Sequence, residues 1–145
     1  MEPSPNTLTV RPDSSVTTAY RQKVMRLEAE MRKMKQIDIP IVHYFSNGMY
    51  IREMHVPAGV TLTGKIHKTE HLCVLSKGEV SVSNEYGIKT YKAPYTIASP
   101  SGVKRAVYAH EDAVWANLHR TDETDLDKLE AMLIAPTFED LTWPG

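Results

Sequence analysis

Cysteine is almost absent from this chain: Cys73 stands alone among 145 residues. A lone thiol excludes an intramolecular disulfide and a multi-cysteine zinc site, and it suits a reducing compartment. Within the apolar run HLCVL it reads as a buried structural thiol rather than a nucleophile. No apolar run approaches the roughly 20 residues that cross a bilayer, so no membrane partner is expected. The opening MEPSPNTLTVRPDSS lacks the basic start and apolar segment of a secretory signal, and a cytoplasmic location is the expectation. A Gly-rich phosphate loop, a Gly-x-Ser-x-Gly elbow and internal repeats are also missing. Net charge is small: a formal value of −1 offers a nucleic-acid polymer no overall attraction. The basic stretch YRQKVMRLEAEMRKMK interleaves acids, as a solvated helix face does.

What is present describes one domain with a real core, at 41% apolar and 24% charged residues. Residues 1–16, rich in Pro, Ser, Thr and Asn, read as a mobile arm. A helix is predicted over 17–36, capped by Asp13, Ser14 or Ser15, with Tyr20, Val24, Leu27, Met31 and Met34 in one apolar stripe. From 37 to 120 the pattern changes to about eight or nine short alternating segments. Turn signals such as Ser46-Asn47-Gly48, Pro57-Ala58-Gly59 and Ser76-Lys77-Gly78 separate them, and the order indicates an all-β sandwich or barrel. Residues 121–145 hold a second helix, started by Thr124 with Asp127, carrying Leu126, Leu129, Met132 and Leu133, and ended by Pro136. A tail with Phe138, Leu141 and Trp143 follows, and its apolar surface predicts docking on this subunit or another.

The segments PAGVTLTGKIHKTEHLCVLSKGEV and IASPSGVKRAV resemble the two motif regions of the cupin superfamily, small jelly-roll barrels. The resemblance covers roughly Ile39 to His119 and implies an all-β, cupin-like jelly-roll barrel between flanking helices. The stretch AHEDAVWANLHRTDETDL is similar to small cupin-like proteins of bacteriophages, which implies the host cytoplasm as a setting.

Carried over residue by residue, the resemblance implies an altered metal site. Lys65 and His67 stand for the usual His-x-His pair, His71 for the glutamate ligand, and Arg105 for the third histidine. Protonated lysine and arginine offer no lone pair and oppose a divalent ion. Alternate residues of inward strands share a face, so Lys65, His67, His71 and Arg105 are expected at one end of the barrel, with Tyr50, Tyr108 and Trp115 as walls; Tyr91 and Tyr95 are further candidates. Such a pocket favours a small anionic ligand, nucleotide-like or sugar-phosphate, and needs no cofactor. Sequestration of a host signal by a homo-oligomer, dimer or larger, is the function this implies.

The alternative keeps a divalent metal, zinc, iron, nickel, copper or manganese, on His67 and His71. A third ligand then comes from His119, or from His110, His55 or Glu70. That arrangement implies an oxygenase or isomerase. A third reading makes the barrel an assembly component of a virion.

Overall fold

The computed structural model describes residues 14–136; most of the expected N-terminal arm and the tail bearing Phe138, Leu141 and Trp143 lie outside them. Helix α1 (Ser14–Arg32) precedes ten strands: β1 (Ile41–Ser46), β2 (Met49–Val56), β3 (Thr61–Thr63), β4 (Ile66–His67), β5 (His71–Lys77), β6 (Glu79–Asn84), β7 (Gly87–Lys92), β8 (Tyr95–Ser99), β9 (Ala106–Ala109) and β10 (Ala113–Arg120). Helix α2 (Leu126–Leu133) and β11 (Ile134–Ala135) follow. None of the described helices is long and apolar enough to cross a membrane.

The strands form two facing antiparallel sheets, ordered β1-β2-β10-β5-β8 and β3-β9-β6-β7, with a small β11-β4 pair at one end. This is the expected jelly-roll arrangement. Period-two alternation decides which side chains enter it: on β5, His71, Cys73 and Leu75 are buried while Leu72 is exposed. Val56, Cys73, Leu75, Val80, Val82, Ile97, Val107 and Trp115 fill the space between the sheets. Two glycines make turns at positive φ, a conformation that side chains disfavour. Gly48 holds φ +77° in the β1–β2 hairpin, and Gly78 holds φ +86° where the chain leaves one sheet for the other. At Gly78 the backbone of Asp112 and Ala113 presses so closely that a Cβ would overlap it.

The helices differ in detail from the sequence expectation. Helix α1 ends at Arg32 rather than Gln36, and Leu27 and Met34 of the expected stripe are exposed. Polar anchors replace them. The Tyr20 hydroxyl faces the carbonyl oxygens of Lys104 at 2.7 Å and Ser83 at 2.9 Å. Arg21 pairs with Glu85 at 3.0 Å, and Glu28 accepts from Lys104 Nζ at 2.8 Å and Thr63 Oγ1 at 2.6 Å. In α2 the cap is Asp125 rather than Thr124, its carboxylate accepting from Lys128 N at 3.0 Å. Leu129 and Leu133 turn inwards onto Tyr50, so α2 closes one end of the barrel.

Candidate metal centre

The register of the larger sheet brings two histidines to that closed end. Pairing of Leu118 with Leu72 and of Asn117 with Cys73 leaves His119 on β10 and His71 on β5 at neighbouring inward positions. His67 arrives separately on the two-residue β4, which pairs with Ile134 of β11. Backbone bonds hold it on both sides: Gly102 N donates to His67 O at 2.8 Å, and Lys68 N to Leu133 O at 2.7 Å.

The three imidazoles converge. Ring centroids lie 4.2 Å apart for His67 and His71, 4.7 Å for His71 and His119, and 5.3 Å for His67 and His119. One ring nitrogen from each lies within 4.8 Å of those of the other two. All three residues are buried, and His67 Nδ1, His71 Nε2 and His119 Nδ1 have no hydrogen-bond partner. Burial lowers the pKa of His67 to about 2, with the charges of His71, His119, Arg105 and Arg52 adding to the effect. It lowers His71 to about 4 against the opposing hydrogen bond to Thr69, and His119 to about 4 with help from Arg52. Near neutral pH all three rings are therefore uncharged, which is the ligating form.

This set fits a metal ion. Each orphaned buried nitrogen costs about 1–3 kcal/mol, and one ion would satisfy all three together. An all-imidazole set suits zinc, iron, nickel or copper, with manganese a harder match. The other candidates for a third ligand are engaged elsewhere: His110 Nε2 lies 2.6 Å from Ser81 Oγ, His55 pairs with Glu53 at 2.9 Å, and Glu70 is exposed.

A cavity of about 370 Å³ opens beside His67 and His119. Tyr50 and Trp115 line it, and Met54, Leu62, Leu126 and Leu129 add apolar surface. His71 does not line it. Lys65 and Arg105 both line the cavity but are bonded within the fold, and Tyr108 does not line it. Lys65 borders the cavity, but its ammonium is spent on Glu130 at 2.8 Å and half of the side chain is in solvent. Arg105 does point in, yet its Nη2 donates to Ser99 Oγ at 2.6 Å and its guanidinium lies 5.9 Å from the Trp115 ring centroid. Tyr108 faces outward on β9, 42% exposed, because its neighbours Val107 and Ala109 take the inward positions. Tyr91 and Tyr95 pack on one another at 4.8 Å beside the central core, and neither lines the cavity.

Several lining residues carried no motif in the sequence, Arg52 and Asn117 among them. Arg52 shares the inward face of β2 with Tyr50 and Met54 and pairs in register with Asn117 and His43. The alternation of MYIREMHV carried that signal.

Comparison with solved structures agrees with the fold. The chain aligns with a cupin superfamily protein from Desulfitobacterium hafniense at TM-score 0.50 and 10% identity, covering 61% of this chain and 83% of that one. It also aligns with salicylate 1,2-dioxygenase from Pseudoaminobacter salicylatoxidans, solved as adducts with gentisate, at TM-score 0.53 and 10% identity. That match covers 80% of this chain but 34% of the dioxygenase. The fold is a cupin-like jelly roll. No family model matches the sequence, and a search of curated proteins also finds no match.

Proposed function

We propose that this chain is a metal-dependent enzyme of cupin-like fold, holding one divalent ion on His67, His71 and His119 and taking a small molecule into the adjoining cavity. The observation that carries this reading is the convergence of three buried imidazoles whose free nitrogens have no other partner. Three protein ligands leave coordination positions open, the pattern of catalytic rather than structural sites. A bound ion would supply Lewis-acid chemistry to a molecule in the cavity.

The chain's own residues prepare the site. The Thr69 carbonyl accepts from His71 Nδ1 at 3.1 Å, which leaves Nε2 unprotonated and aimed. Leu126, Leu129 and Trp115 give the cavity an apolar wall. Burial raises the pKa of Tyr50 and Arg52 partly offsets this, so near neutral pH its hydroxyl is a protonated group, 2.7 Å from His43 Nδ1.

Elemental analysis of protein purified without chelator tests the reading. About one ion per chain, lost in His119→Ala, is expected. Folded wild-type protein that stays metal-free after incubation with Zn(II), Fe(II), Ni(II) and Mn(II) in turn would sink it.

Metal-free sequestration of an anion is the weaker reading, since its two named cations, Lys65 and Arg105, have partners within the fold. The bacteriophage likeness rests on its sequence stretch alone. We propose self-association through β1, the edge of its sheet among the described residues, where Ile41, Val42, Tyr44 and Phe45 are exposed. Sedimentation of wild type against Tyr44→Lys would decide it.

A further inference from the structure

We propose that Arg52 is the anion anchor of the cavity and that the molecule taken in is a small carboxylate with an apolar body. Arg52 lines the cavity with His67 and His119, and among the described residues no side chain forms a hydrogen bond or ion pair with it, Tyr50 and Glu130 acting on it only through their charge. The guanidinium is half-buried, and burial lowers its pKa against the opposing pull of Tyr50 and Glu130. A half-buried guanidinium with no hydrogen-bonded partner keeps donors free for a guest, and its planar fork matches a carboxylate.

Charge balance points the same way. The cavity lining holds Arg52, Arg105 and Lys65 against one carboxylate, Glu130, which is already paired to Lys65. The three imidazoles contribute no negative charge, so a divalent ion adds to the excess. An anionic guest offsets it. Arg105 serves less well as the anchor because it is bonded to Ser99 and lies near the Trp115 ring. The remaining walls, Met54, Leu62, Leu126 and Leu129 among them, present hydrocarbon, which suits an apolar body. A volume of about 370 Å³ lies at the low end of the ~300–1,000 Å³ range of ligand pockets and sets a small size.

Placement of the guest beside the ion rests on the metal-centre reading, whereas its charge does not. Calorimetric titration therefore uses both Zn(II)-treated and chelator-treated protein, with benzoate and pentanoate against the isosteric neutral probes benzamide and pentanamide. Each carboxylate should bind about tenfold or more tighter than its amide, and Arg52→Leu should erase the difference while keeping its metal content. If Arg52→Leu fails to fold, Arg52→Lys keeps the charge, loses the fork, and should bind the carboxylates several-fold more weakly. Equal affinity for acid and amide, no carboxylate binding up to about 10 mM, or unchanged affinity in the Arg52 variant overturns the proposal. Absence of bound metal with the acid preference intact would remove the metal centre alone.

Discussion

His71 Nδ1 donates to the carbonyl of Thr69, two residues earlier, at 3.1 Å. A carbonyl can only accept, so the proton is on Nδ1 and Nε2 presents a lone pair to His67 and His119. The ligand is thus set by a local turn before any ion arrives. Removing that turn's grip on the ring should weaken metal binding about 10–100-fold, the usual effect of an outer partner. Thr69→Pro retains the carbonyl but changes the turn, and competition with a metal indicator would measure the loss. Ligand removal is harsher. His71→Ala should hold no stoichiometric metal, and wild type should gain about 2.7 kcal/mol of stability when free metal reaches about 100 times Kd. A melting temperature indifferent to chelator would contradict this.

The same histidines predict how ion-free protein responds to acid. Their folded pKa values, about 2 for His67 and about 4 for His71 and His119, lie below the unfolded value of about 6.5. Below that value the unfolded chain binds protons that the folded chain refuses. Stability is therefore complete above about pH 6.5 and falls as pH drops towards 4, continuing lower for His67, by at most about 1.4 kcal/mol per pH unit for each histidine. Urea unfolding in chelator at several pH values would measure the slope. His119→Gln, with one fewer titrating ring, should be less steep.

Much of this architecture was legible because it is local. Alternation and glycine turns exposed the strands, and the two histidines around the β4–β5 turn were visible as possible ligands. His119 entered as one of several thirds, since only sheet register sets it beside His71. Lys65 and Arg105 illustrate the opposite difficulty. Their charge was plain, but the partners that occupy them, Glu130 and Ser99, come from α2 and β8 and cannot be read from spacing. Arg52 was readable from its alternating strand but carried no motif to draw attention to it.

The two turn glycines should respond differently to alanine. Both have positive φ, yet a Cβ at Gly48 meets nothing within 4 Å, whereas at Gly78 it runs into the Asp112–Ala113 backbone, with Ala113 Cα at 2.9 Å. Gly48→Ala should cost only the conformational penalty, about 1 kcal/mol. Gly78→Ala must also push apart the two sheets' connections, and a loss of about 3 kcal/mol or more is expected. Chemical denaturation of the two variants would compare them directly. Equal losses would mean that the close approach at Gly78 relaxes freely.

Glu28 and Lys104 give the sharpest test of how α1 is held. Their side chains meet at 2.8 Å with only 14% and 7% exposure, and Thr63 Oγ1 donates to the same carboxylate oxygen at 2.6 Å. Burial raises the pKa of Glu28, but the hydrogen bonds from Lys104 and Thr63 and the charges of Lys104 and Arg32 outweigh it and hold the group ionised. Its contribution is present above the unfolded carboxylate pKa and is lost as pH falls through the lowered folded value. Glu28→Leu leaves the buried Lys104 ammonium alone and should cost about 3 kcal/mol, whereas Lys104→Met should cost less, because Arg32 still pairs with Glu28 Oε1 at 2.9 Å. The double variant replaces both charges by hydrocarbon and should cost much less than the sum, a coupling that urea denaturation of the four proteins would measure. Hydrogen exchange in α1 should rise in the single variants and recover in the double. Additive losses would mean that water already screens the pair and that Val24 and the Tyr20 hydroxyl carry the docking of the helix.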